Sequence, residues 1–164
     1  MAEDNMQDML VSYIRDAHAM EKNVQTMLKS LIASTDDPEI KSMMEHHSEE
    51  TERHQELLKA RLEQMGEDIT AMKDIPAMLG AMAKGIADMV RSDKPGKNAR
   101  DAYVTEALEI AAYELLQRLA ERCGDSATAS IAESIKADEM AMRKKIEQSW
   151  DKVLDLTLTE KLPA

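Results

Sequence analysis

Apolar residues recur every three to four positions through four long stretches of this 164-residue chain. That spacing marks one face of an α-helix. The first stretch shows Leu10, Tyr13, Ile14, Ala17, Val24, Leu28, Leu31 and Ile32, and the second Ile40, Met43, Met44, Leu58, Leu62 and Met65. The third shows Ala102, Ile110, Ala112, Tyr113 and Leu116, and the fourth Ile131, Ile135, Met142, Ile146, Trp150 and Val153. Turn residues separate them. Asp36-Asp37-Pro38 reads as a loop, an N-cap and a Pro at the first helical position. Gly66 ends the next helix, Pro76 opens a shorter one, and Asp93-Lys94-Pro95-Gly96 closes it. Cys123-Gly124-Asp125-Ser126 reads as a tight turn, with Gly ending one helix and Asp or Ser capping the next.

The pattern predicts long helices near 5–34, 38–65, 98–123 and 126–155, and a short one near 76–92 with Ile75, Leu79, Met82, Ile86 and Val90 on one side. The first and last pairs are joined by very short loops, so each is an antiparallel hairpin. The middle connection is long. A four-helix bundle with one long crossover between helices two and three, here carrying a short fifth helix, is the connectivity of all-α ferritin-like folds. The expectation is one domain over 1–164, with a bundle core at about 5–155 and a flexible tail at 156–164. Helix three carries a second apolar strip, Val104, Leu108, Ala111, Leu115 and Leu119, which reads as a subunit interface and predicts a homodimer.

Composition agrees with helices. There is no Phe, one Trp and three Tyr, which argues against strands, and five Gly with four Pro leave few turns. The formal net charge of −11 disfavours nucleic acid and anionic membrane surfaces as partners. No stretch is long and apolar enough to span a membrane. Cys123 is the only cysteine, and the start Met1-Ala2-Glu3-Asp4 has no basic region leading into an apolar run. Both features make the cytoplasm the expected compartment. The fourteen Met fall mostly at stripe positions, where Met fills gaps in a helical core.

The residues that break the stripes carry the chemistry. Glu21 falls between Ala17 and Val24, Glu109 between Ala102 and Leu116 with Glu106 one turn earlier, and Glu139 between Ile135 and Met142. The stripe of helix two passes through His47, Glu50, Thr51 and His54. All four helices thus place a Glu on or beside the inward face near mid-length. A buried ionised carboxylate is costly unless it is paired or metal-bound, and four at one level repel. A pair of metal ions relieves that repulsion. Carboxylate oxygens with one or two imidazoles suit iron or manganese, with zinc also able to occupy such a site.

The run Asp16-Ala17-His18-Ala19-Met20-Glu21-Lys22 resembles the first-helix signature of the YciE/YciF-type ferritin-like proteins, a bacterial stress-associated family of largely unknown function. His47-Ser48-Glu49-Glu50-Thr51-Glu52-Arg53-His54 resembles its second signature. Glu106-Ala107-Leu108-Glu109-Ile110-Ala111-Ala112-Tyr113, with Leu119-Ala120-Glu121, is similar to the third, and Ala137-Asp138-Glu139-Met140-Ala141 to the fourth. The resemblance implies a bundle, often dimeric, with a rubrerythrin-like set of carboxylates. Carried over, the metal ligands are Glu21, Glu50, His54, Glu106, Glu109 and Glu139. The chain departs from the usual di-iron pattern, which has Glu-x-x-His on two helices. It has none. Helix two offers Glu50 with His54, or His47 with Glu50 in reversed order. Helix four offers Glu139 without a histidine, or Asp138 in its place. A two-metal, one-metal, carboxylate-only or protonated cluster all remain open at this stage.

Two functional readings follow. One is a di-metal protein acting on oxygen or peroxide, which needs an external electron donor because the chain has no cysteine cluster. The other is a non-catalytic dimeric stress or scaffold protein with a degenerate site.

Overall fold

The structure, a computed structural model, describes residues 2–67 and 94–162. Every regular element among them is an α-helix: α1 (Ala2–Ala33), α2 (Pro38–Gln64), α3 (Lys94–Arg122), α4 (Ser126–Glu147) and α5 (Trp150–Lys161). The predicted short helix near 76–92 lies outside the described residues. None of the described helices is long and apolar enough to cross a membrane.

Local chemistry sets the helix ends. Asp37 caps α2, its Oδ1 accepting from the backbone N–H groups of Glu39 and Ile40 at 3.1 and 3.0 Å, and Pro38 occupies the first turn, where no N–H is needed. Gly124 turns with φ of 69°, a left-handed conformation that glycine adopts without a Cβ clash. Asp125 then caps α4 by accepting from Thr128 N–H at 2.9 Å. Arg61 of α2 reaches the same carboxylate at 2.6 Å, so one side chain both starts α4 and ties it to α2.

Three boundaries differ from the sequence reading. Helix α3 already includes Lys94 rather than beginning at 98, and Gly96 N–H finds Thr157 Oγ1 at 2.9 Å. The fourth predicted helix is interrupted at Gln148 and Ser149, where the Ser149 hydroxyl donates to the Ile146 carbonyl at 2.8 Å and competes with the helical ladder. The predicted loose tail is instead helical through Lys161. Val153 is buried against α3, Leu156 packs beside it, and Thr157 holds Gly96.

Helix α1 pairs with α2 and α3 with α4, while α1–α3 and α2–α4 contacts close a ferritin-like four-helix bundle. Helix α5 lies against α3. The core divides into two apolar plugs. One centres on Leu10, Ile14, Leu58, Leu62, Leu116 and Ile135, the other on Leu28, Leu31, Met44, Ala102, Met142 and Ile146. Along α1 the change of plug falls between Met20 and Val24, along α2 between Met44 and Leu58, along α3 between Ala102 and Tyr113, and along α4 between Ile135 and Met142. The polar residues that interrupt the stripes therefore form one layer across mid-bundle. On the outer strip of α3, Val104 and Leu115 are more than half exposed, whereas Leu119 packs on the first plug. Tyr13 and Trp150, read as inward from their spacing, are both partly exposed, and Trp150 lies 5.6 Å from the ring of Tyr103.

Candidate metal centre

Six acidic and imidazole side chains of the polar layer are completely or almost completely shielded from solvent: Glu21, His47, His54, Glu106, Glu109 and Glu139. Each helix of the bundle supplies at least one. His47 Nε2 lies 3.3 Å from both Glu106 Oε1 and Glu139 Oε2. His54 Nδ1 lies 3.0 Å from Glu139 Oε1 and 3.5 Å from Glu21 Oε2. Glu139 therefore turns one oxygen to each histidine and stands between two donor groups. One group is His47, Glu106, Glu109 and Glu139, the other Glu21, His54 and Glu139, and within each the donor atoms lie within 4.8 Å of one another.

Outer partners orient the histidines. Nδ1 of His47 faces Glu50 Oε2 at 3.2 Å, and Nε2 of His54 faces Asp138 Oδ2 at 3.1 Å. With those nitrogens donating, the opposite ring nitrogen of each neutral imidazole offers its lone pair to the cluster. Asp138 is itself held by Arg53 at 2.7 Å. Thr51, between the histidines on α2, donates its hydroxyl to the His47 carbonyl at 3.0 Å. Tyr113, fully buried, donates to Glu21 Oε1.

Nine donor atoms make no hydrogen bond of good geometry, although several lie 3.0–3.5 Å from one another: Glu21 Oε2, His47 Nε2, His54 Nδ1 and both oxygens of Glu106, Glu109 and Glu139. Buried polar atoms normally find partners, so such a concentration in one place calls for a cause. The electrostatics agree. Burial pushes Glu109 well above the usual carboxylate range, and the charges of Glu139, Glu21 and Glu106 push it further. Burial raises Glu106 to about 8 although His47 opposes it, and burial raises Glu21 although His54 opposes it. Burial works against a charge on His47, but Glu106 and Glu50 beside it raise its pKa to about 10. His54 rises to about 10 in the same way, against burial, through Glu139 and Glu21. Protons must therefore hold this cluster together unless cations do. Donor atoms about 3 Å apart are spaced as ligands of one ion with bonds of about 2.1 Å are spaced. The residues present fit a metal ion.

Of the six ligands expected, five lie in the cluster: Glu21, His54, Glu106, Glu109 and Glu139. Glu106, one turn before Glu109, is fully buried. Glu50 is the exception. It is partly exposed and faces His47 from the rim, bonded also toward His46 at 3.5 Å. Its place among the inner donors is taken by His47. Asp138, considered as a stand-in for Glu139, instead supports His54. His54 follows His47 by seven positions, and two helical turns put both on one side of α2. That spacing was the signal available for His47.

The chain is similar to solved structures over nearly its whole length. A protein from Xanthomonas campestris pv. campestris is 26% identical with a TM-score of 0.80, covering 96% of this chain and 98% of that one. The E. coli stress protein YciF is 21% identical with a TM-score of 0.70, covering 97% and 98%. YcfI from Rhodopseudomonas palustris is 22% identical with a TM-score of 0.73, covering 87% and 92%. The last two likenesses are likenesses of fold. Residues 5–159 match the family described as "Domain of unknown function (DUF892)", and the chain belongs to that family, in keeping with the YciE/YciF-type signatures it carries.

Proposed function

We propose that this protein is a stress-associated metalloprotein that holds two iron or manganese ions at mid-bundle and acts there on dioxygen or peroxide. The observation that carries this reading is the convergence of nine donor atoms, none with a hydrogen bond of good geometry, in two groups that share Glu139. Glu21, Glu106, Glu109 and Glu139 match the charge of two divalent ions, and His47 and His54 give each ion a nitrogen donor. Iron or manganese bound there supplies electron transfer and Lewis acidity toward an oxygen ligand. The chain's own part is to hold the carboxylates apart in a dry layer, to fix both imidazoles through Glu50 and Asp138, and to keep a proton on Tyr113, whose hydroxyl burial and the Glu21 charge push well above its ordinary range. Electrons come from an external donor, because Cys123 is the one cysteine. The setting we assign is the cytoplasm.

Elemental analysis of protein purified without chelators tests this, with anomalous scattering at the iron and manganese edges to place the ions. Two ions per chain between His47 and His54 are expected, followed by peroxide consumption with an added reductant. A metal-free protein that refuses iron, manganese and zinc would sink the reading.

A second reading, a dimeric scaffold, is favoured by the exposed Val104 and Leu115 on α3. It is compatible with the first, and we place the homodimer contact on that strip. Sedimentation of the Leu115→Glu variant tests it: a dimer that persists unchanged would move the contact elsewhere.

A further inference from the structure

The two halves of the centre are not alike. Four residues converge on the His47 side and three on the His54 side, with Glu139 common to both. Hydrogen bonding adds a second asymmetry. Glu106, Glu109 and Glu139 have both oxygens free of hydrogen bonds of good geometry, but Glu21 has only Oε2 free, because Tyr113 donates to its Oε1. The Tyr113 hydroxyl fixes the rotation of the Glu21 carboxylate, so that Oε1 faces the phenol and Oε2 faces His54. Nothing nearby on α2 makes up the difference. Thr51 donates its hydroxyl to the His47 carbonyl, and the far nitrogen of His54 is engaged by Asp138.

We infer that the two metal positions are unequal: the His47 position is filled by protein donors, and the His54 position is one donor short and takes a small oxygen ligand such as dioxygen, peroxide or water. Tyr113 is the positioning residue that keeps it short, by fixing Glu21 with a single oxygen toward His54. Closed donor sets characterise metal sites that hold structure, and an open position characterises those that bind substrate. This inference rests on the two-metal reading. It adds to that reading where the substrate binds and which residue keeps the place free.

Cobalt(II) titrated into the metal-free full chain, read by visible absorption with azide as a small anionic probe, tests it. The wild type is expected to take two equivalents in sequence. Azide should leave the first spectrum unchanged and shift the second. Tyr113→Phe should still take two, with azide affinity at least tenfold weaker as Glu21 closes on the second ion with both oxygens. A metal-free melting curve close to wild type checks that this variant folds. Should it not fold, Glu109→Gln carries the test alone: it replaces an anionic carboxylate at the filled position by a neutral amide, a weaker ligand, so azide should then respond at the first equivalent as well. An azide response at the first equivalent of the wild type overturns the inference, as does unchanged azide affinity in Tyr113→Phe or an unresponsive first equivalent in Glu109→Gln. A wild type that binds no cobalt, or only one equivalent, fails earlier and takes the two-metal reading down with it.

Discussion

His47 and His54 stand seven residues apart on α2 and turn opposite ring nitrogens to the same cluster, His47 its Nε2 and His54 its Nδ1. Seven residues fall about 20° short of two full turns, so one helix face serves both halves of the centre. In the proposed centre, two histidines from one helix would do what a histidine from each of two helices does in the usual di-iron pattern, leaving α4 to give only Glu139. The expected result is that His47→Ala and His54→Ala each lower bound metal from two ions to one per chain, measured by elemental analysis after gel filtration. Loss of both ions from either single variant would show that the two groups act as one site.

The rim carboxylates should matter nearly as much as the inner donors. Glu50 and Asp138 each hold the far nitrogen of a histidine. Removing such an outer partner typically weakens metal binding about 10- to 100-fold. Glu50→Gln should weaken the His47 position and Asp138→Asn the His54 position, each within that range, as read by competition with a chromogenic chelator. Equal weakening of both positions by either variant would contradict the pairing described here.

The bundle was legible because its signals are local. Asp37-Pro38 and Gly124-Asp125 each contain the chemistry of a helix end, and the apolar stripes state which face is inward. Burial of Glu21, Glu109 and Glu139 followed from the same stripes. What the stripes could not tell was which of two neighbours on α2 reaches inside. Glu50 lies roughly 40–60° around the helix from the two histidines, at about 100° per residue, and that small angle sends it to the rim. The interruption at Gln148 and Ser149 was hidden for another reason: it contains neither Gly nor Pro, and a serine hydroxyl bonding to a backbone carbonyl leaves no periodic trace. Tyr13 and Trp150 carry rings large enough to lie across the edge of a helix face, so spacing alone misplaced them.

Glu109 offers a clean separation between a proton-held and a metal-held centre. Without metal, burial and the charges of three neighbouring carboxylates push its carboxyl well above the usual range and so favour the protonated form. Glu109→Gln keeps that shape and charge state. Its metal-free stability should therefore stay within about 1 kcal/mol of wild type. Glu109→Ala leaves a buried void and should cost roughly 1–3 kcal/mol. Both variants should lose much of the rise in melting temperature that manganese gives the wild type. Urea unfolding with and without manganese measures all of these, and a Gln variant destabilised as much as the Ala variant would argue that Glu109 is ionised without metal.

Asp125 tests the fold independently of the centre. It caps α4 through Thr128 N–H and holds Arg61 of α2 at 2.6 Å. Arg61 also donates to Thr128 Oγ1 at 2.8 Å. Loss of an N-cap costs about 0.5–2 kcal/mol, and the partly buried guanidinium left behind adds to it. Asp125→Ala should therefore lower stability by roughly 2–3 kcal/mol in denaturant unfolding, while metal uptake stays at the wild-type stoichiometry. A variant as stable as wild type would mean that Gly124 and the two plugs alone define this turn.

The protons in the cluster make a prediction about pH. Folding raises His47 and His54 from 6.5 to about 10 and Glu106 from 4.5 to about 8, and it raises Glu21 and Glu109 as well. Every one of these groups holds its proton more tightly folded than unfolded. The stability they lend is fully present below the unfolded pKa and is lost as pH climbs through the folded one. For Glu106 that window runs from 4.5 to about 8, and for the histidines from 6.5 to about 10. The metal-free protein should accordingly melt at steadily lower temperature from pH 5 to pH 9.5, by up to about 1.4 kcal/mol per pH unit for each extra proton bound. Metal must displace these protons, so its affinity rises with pH. The gain in melting temperature on adding manganese should therefore grow over the same range. Paired melting curves, with and without manganese, check both slopes. A metal-free protein that becomes more stable with rising pH would mean that the carboxylates are ionised and paired in some other way, and the centre would lose its electrostatic reason to bind metal.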